Sequence, residues 1–223
     1  GKDRLMLRRT LLAGLTAVLT SGSAQAKPRQ NKEVLAFYYG WYRPEAHWGD
    51  PGPLHTPAAG VYDSHAPKTV ARHLTEAKQA GLTGLIVSWW GIDDPTDRQL
   101  ALLLPEAARA GLKIAVYIEN AATPDILAEQ LLYLQTTYGH AANWLKLDGR
   151  AVVFLYDRVL QTLGLDGWKS ARARVEKTGR KALAYIATGN GRKQIAQRAP
   201  FVDGVHIYDM AYYLAQKRGL AWL

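Results

Sequence analysis

Two helical stretches of this chain close on the same three residues, Ala80-Gly81-Leu82 and Ala110-Gly111-Leu112, and each closure leads directly into an apolar run. Glycine just past a helix end takes the left-handed conformation that caps the last turn, so the phrase marks a helix stop and a strand start. Lys177-Thr178-Gly179 repeats the arrangement. Helical patterns run from Pro67 to Ala80, Thr96 to Ala110, Pro124 to Tyr138 and Gly167 to Thr178. Around them lie six strand-like runs: VLAFYYGWY from Val34, GLIVSWW from Gly84, KIAVYIEN from Lys113, AVVFLY from Ala151, ALAYIAT from Ala182 and GVHIYDM from Gly204. Near-continuous apolar runs alternating with helices predict a parallel sheet covered on its outer face. Asp148-Gly149, between Trp144-Leu145-Lys146-Leu147 and the fourth run, predicts a tight hairpin and a short extra strand.

The chemistry gathers at the strand ends. They carry Tyr39 and Trp41; Ser88, Trp89 and Trp90; Glu119 and Asn120; Tyr156 and Asp157; Thr188 and Asn190; Tyr208 and Asp209. A (β/α)8 barrel builds its site from the carboxyl ends of several strands at once. A doubly wound sheet concentrates such residues at one switch point, usually with a glycine-rich phosphate loop, and no first turn here offers GxGxxG. The fold class expected is therefore a (β/α)8 TIM-barrel type, with about six βα units in this chain. Successive strand residues point to opposite faces, so one of Trp89 and Trp90 faces the barrel axis and the other leans toward the helices or rim. A wide indole at a barrel mouth suits the apolar face of a sugar ring. Tyr117 and Glu119 share one strand face, as do His206 and Tyr208, and His206 reads as a satisfied core histidine. The long connection from Arg43 to Pro67 has the length of a functional loop.

Arg8 and Arg9 precede an apolar run from Leu11 to Leu19, and Ala24-Gln25-Ala26 has the small-x-small form of a cleavage site. Residues 1–26 thus read as a secretory signal peptide too short to span a bilayer. The Arg-Arg pair before Thr10-Leu11-Leu12 gives it a twin-arginine-like form, the alternative being an ordinary export signal. The expected location is the bacterial periplasm or exterior, with residues 27–223 as a partial barrel domain and no membrane span after cleavage. The full chain of 223 residues carries a formal charge of +9; without residues 1–26 it holds 24 basic and 18 acidic side chains, or +6. The excess is scattered at helical spacing (Lys169, Arg172, Arg174, Lys177, Arg180, Lys181), the pattern of a solvated face rather than a nucleic-acid surface. With no cysteine, neither disulfides nor thiolate chemistry contributes.

Several phrases then occur in one order: Tyr38-Tyr39-Gly40-Trp41-Tyr42, His47-Trp48, Tyr62-Asp63-Ser64-His65, Ile86-Val87-Ser88-Trp89-Trp90-Gly91, Val116-Tyr117-Ile118-Glu119 and Phe154-Leu155-Tyr156-Asp157. Tyr138-Gly139-His140, the Asp148-Gly149 hairpin and Val202-Asp203-Gly204 leading to Tyr208 fit the same pattern. Together they resemble glycoside hydrolase family 99, the endo-α-1,2-mannosidases and endomannanases, over Val34 to about Tyr213. The resemblance implies a (β/α)8 barrel that hydrolyses α-mannoside chains internally with retained configuration. In that scheme the neighbouring 2-hydroxyl is the nucleophile, one carboxylate helps deprotonate it and another acts as acid on the leaving oxygen. It implies an oligosaccharide or polysaccharide substrate and no cofactor. No HExxH cluster occurs and the six histidines show no metal-ligand spacing, so no metal is expected.

Residue by residue, the resemblance puts Tyr39 and Trp41 at the floor of the sugar site and Trp90, or with less support Trp89, on a sugar face. Glu119 falls on a sugar-contacting carboxylate and is the candidate catalytic residue, while Tyr156, Asp157 and Tyr208 complete the wall. Two departures stand out. Asn120-Ala121 follows Glu119 where the family continues Pro-Tyr, and no Asn-Glu-Trp-x-x-Glu-like motif, the source of the family's catalytic glutamate pair, occurs in the sequence. Six strands also leave a barrel open at its edges. The expectation is a fragment of a longer gene product, the alternative a reduced relative that binds sugar without hydrolysing it.

Overall fold

The computed structural model describes residues 32–48 and 56–208. The chain divides into a unit over Gly1–Lys32 and one over Glu33–Leu223, and the fold is that of the second. The expected signal peptide, Asp209 and the chain's last residues lie outside the described residues. So do residues 49–55 of the long connection.

The described elements alternate as expected: β1 (Leu35–Tyr38), α1 (Pro67–Gln79), β2 (Gly84–Trp89), α2 (Pro95–Arg109), β3 (Lys113–Ile118), α3 (Pro124–Thr137), β4 (Lys146–Leu147), β5 (Arg150–Leu155), α4 (Asp157–Glu176), β6 (Ala184–Thr188), α5 (Arg192–Arg198) and β7 (Gly204–His206). The sheet order is β1-β2-β3-β5-β6-β7, every neighbouring pair parallel, with β4 antiparallel to β5. The repeated Ala-Gly-Leu phrase does what its chemistry implies. Gly81 and Gly111 sit at φ 79° and 68°, and Leu82 and Leu112 donate back to Ala77 and Ala107 across 3.0 and 2.8 Å. Asp148 and Gly149, at φ 50° and 72°, form the two-residue turn between β4 and β5, a geometry matched to strand twist.

Two differences from the sequence reading have local causes. The helix expected from Gly167 begins ten residues earlier, at Asp157, because α4 contains a break at Gly164 (φ 65°, ψ 175°) that hides the first turns' periodicity. The short helix α5 was not expected; its seven residues make only about two turns, too few for a clear amphipathic period.

Strand alternation divides the core in two. Leu85, Val87 and Trp89 of β2, Ile114, Val116 and Ile118 of β3, and Val153 and Leu155 of β5 pack outward beneath the helices. Ile86, Ala115, Tyr117, Val152, Phe154 and Ala184 point the other way, with Phe37 and Tyr208 packed against them. If six strands lay flat, β1 and β7 would stand roughly 24 Å apart at about 4.8 Å per spacing. Yet the Phe37 ring centre lies 5.9 Å from that of His206 and 5.1 Å from that of Tyr208. The sheet therefore curls into a half-barrel, and its inner face closes on itself through side chains.

Candidate active site

Each parallel strand ends at the same rim, so the residues that leave the ladder there are brought together by the curl. Glu119 follows β3 and is 6% exposed. Its backbone N–H donates to Trp89 O at 3.0 Å, extending the β2–β3 pairing by one residue, and the Ser88 hydroxyl donates to its Oε1 at 2.5 Å. Burial pushes the Glu119 carboxyl above its ordinary range, while Ser88 and the Arg158 guanidinium pull it back.

Tyrosines surround this carboxylate. Tyr117 is fully buried and hydrogen-bonds Thr188 Oγ1 at 2.6 Å; because the Thr188 hydroxyl donates to Leu155 O, Tyr117 is the donor. Tyr208 stacks on Tyr117 with ring centres 5.8 Å apart, and Tyr156 lies 5.5 Å from both rings. Tyr39 hydrogen-bonds Tyr208, hydroxyl to hydroxyl, and packs against Trp41 at 4.8 Å. Burial foremost, then the nearby acidic groups, raises the Tyr39 and Tyr117 phenols well above their usual range, so both keep their protons at neutral pH. The result is one carboxylate set among neutral hydroxyls and aromatic faces. Such a wall can hydrogen-bond a polyhydroxylated ring and cover its apolar side.

The tryptophan pair separates as alternation requires. Trp90 stays at the rim, 37% exposed, edge-on to Trp41 at 6.3 Å, with its backbone N–H held by Thr96 Oγ1 at 2.9 Å. Trp41 and Trp90, with Arg43, His47, Asp94, Pro95 and Thr96, line a cavity of about 490 Å³.

Two expected sugar contacts are corrected by this geometry. Trp89 is 0% exposed, stacks on Tyr133 of α3 and donates its indole N–H to Asp97 Oδ1 at 2.9 Å, so it packs the outer layer. Asp157 is also buried, its carboxylate taken by Arg198 Nη2 at 2.6 Å and by the Gln161 amide at 2.6 Å; it ties α4 to α5 instead of joining the wall. The structure also brings in a residue the sequence reading missed. The Arg158 guanidinium lies 5.3 Å from the Trp90 ring centre and 5.6 Å from that of Tyr156. Its one signal in the sequence was its place directly after Tyr156-Asp157 at a strand end. His206 sits within the inner core, 5.4 Å from Tyr117 and 5.6 Å from Phe154, and burial lowers its imidazole to about 4. Among the described residues no three His, Asp or Glu side chains come together as a metal would require.

The chain as a whole is similar to several known proteins. A mouse glycoprotein endo-alpha-1,2-mannosidase-like protein is 26% identical over 238 residues, covering 86% of this chain and 48% of the relative. The corresponding human protein is 25% identical, over 80% of this chain and 44% of its own length. The chain thus spans about half the length of the curated relatives it matches. Among solved structures, the GH99 endo-alpha-mannosidase from Bacteroides thetaiotaomicron in complex with bis-tris-propane superposes with a TM-score of 0.63 at 25% identity, over 78% of this chain and 58% of that one. A second structure of that enzyme gives a TM-score of 0.61 at 24% identity. The half-barrel is therefore part of a (β/α)8 architecture. The family model for glycosyl hydrolase family 99 matches residues 44–173, more than half of the sequence, and the chain belongs to that family.

Proposed function

We propose that this half-barrel is the sugar-binding side of an exported, endo-acting α-mannosidase that hydrolyses mannoside chains with retained configuration. The observation that carries the reading is the buried Glu119 carboxylate, hydrogen-bonded to Ser88 at the strand ends and walled by Tyr39, Tyr117, Tyr156 and Tyr208. Trp41 and Trp90 extend that wall to the rim, where a chain of sugars enters and leaves. Family membership and the endo-alpha-mannosidase relatives supply the substrate class. Glu119 contacts the sugar as its charge develops, and hydrolysis by this route needs a second carboxyl group on the leaving oxygen. The family's Asn-Glu-Trp-x-x-Glu pattern, which would provide it, does not occur in the sequence. Export rests on residues 1–26, and a mature amino terminus near Lys27 in the exported fraction would support it.

A second reading, sugar binding without hydrolysis, is favoured by one observation: among the described residues Glu119 is the one carboxylate set within the tyrosine wall. Calorimetry with α-manno-oligosaccharides, followed by product analysis, separates the two. Binding with shorter products supports the hydrolase, and binding without products supports the module. Trp90→Ala should weaken binding by about 1–2 kcal/mol, the scale of a lost aromatic or cation–π contact. Absence of binding across manno-oligosaccharides would overturn both.

A further inference from the structure

Arg158 is more than a neutral sugar needs. Stacking on Trp90 requires an aromatic face, and hydroxyl groups find partners among the tyrosines and Glu119. A guanidinium packed against the same ring adds five N–H donors in a planar fork, a geometry matched to oxyanions. We propose that Arg158 makes this rim select glycans carrying an anionic substituent (a phosphate, sulfate or carboxylate) on the unit that packs against Trp90. The inference rests on the reading of this rim as a sugar site and names the chemistry of its substrate.

Four observations carry it. The guanidinium is exposed at the rim and lies over two aromatic rings, Trp90 at 5.3 Å and Tyr156 at 5.6 Å, so its donors remain available at the ring edges. Among the described residues it forms no ion pair within 4.0 Å. Its backbone is anchored, because the adjacent Asp157 is pinned by the buried Arg198 ion pair at 2.6 Å. Lastly, the neighbouring cavity holds a second guanidinium. Arg43 lines it, with the exposed Glu45 at 3.7 Å as its ion-pair partner among the described residues, as does Asp94, whose Oδ1 accepts from the Thr96 amide at 2.8 Å and hydroxyl at 2.6 Å.

The test is calorimetric titration of the full chain with three probes: a neutral α-manno-oligosaccharide, the same oligosaccharide bearing a phosphate monoester, and inorganic phosphate. The phosphorylated sugar should bind about tenfold more tightly than the neutral one at low ionic strength, as a charge-assisted contact implies. That preference should shrink as salt is added. R158Q should erase it and R158K should keep part of it, the readout being the ratio of the two affinities within each variant. Equal or weaker binding of the phosphorylated sugar overturns this inference and leaves the sugar site standing. A preference that persists in R158Q overturns it too, as does inorganic phosphate binding as tightly as the phosphorylated sugar. If neither sugar binds, the sugar-site reading falls and takes this inference with it. Should R158Q fail to fold, R158K and the salt series decide the matter, and a preference insensitive to salt overturns it.

Discussion

Tyr39 and Tyr208, which follow strands at opposite ends of the sheet order, hydrogen-bond to each other across the mouth of the half-barrel. The contact joins residues 169 positions apart and holds the curl closed at the rim. Tyr39→Phe or Tyr208→Phe should each lower unfolding free energy by about 1 kcal/mol, the usual net worth of such a bond. The double variant should lose little more than either single one, because the bond is shared. Urea unfolding of the three variants checks this, and fully additive losses would show that the hydroxyls act independently.

Glu119 links protonation to stability. Burial raises its carboxyl above the ordinary value of 4.5, so the folded chain binds that proton more firmly than the unfolded chain does. The stabilising contribution is therefore complete at acid pH and is lost as pH rises above the unfolded value. Glu119→Gln should melt higher than the parent at pH 7, with a gap that narrows toward pH 4. A gap that stays constant or widens on acidification would show that burial does not govern this group.

His206 has the opposite sign. The unfolded imidazole takes up a proton near 6.5, whereas burial among Phe37, Tyr117 and Phe154 delays this to about 4 in the fold. Stability should therefore fall as pH drops from 6.5 to about 4, by up to about 3 kcal/mol from this residue. His206→Phe keeps the ring packing and removes the proton site. Its denaturant midpoint should change less over that interval than the parent's, and an unchanged acid response would assign the effect to other groups.

Asp97 is the polar hub of the outer layer. It accepts from the Trp89 indole at 2.9 Å, the Tyr133 hydroxyl at 2.8 Å and the Tyr138 hydroxyl at 3.2 Å, all beneath α2 and α3. Asp97→Ala leaves these three side-chain donors, and the Asp93 backbone N–H at 3.3 Å, without their acceptor and should cost about 3 kcal/mol or more. Asp97→Asn, which keeps one acceptor oxygen, should lose less. The order of the two thermal midpoints is the test, with near-neutral behaviour of Asp97→Ala the contrary result.

The strand and helix alternation, the Gly81 and Gly111 caps and the Asp148-Gly149 hairpin were legible in the sequence because each depends on neighbours a few residues away. So was the concentration of tyrosine, tryptophan and acid at the carboxyl ends of the strands, since parallel strands share one direction. Period-two alternation required Trp89 and Trp90 to face apart. It could not say which faced the mouth, because that choice is made when α2 and α3 pack on one side of the sheet and Asp97 captures the Trp89 indole. Asp157 looked like part of the wall until its distant partner, Arg198, was in place. Arg158 over Trp90, and Tyr39 against Tyr208, arise from the curl of the sheet. That curl is the sum of small twists over six strands, a property of the assembled sheet that no short stretch of sequence contains.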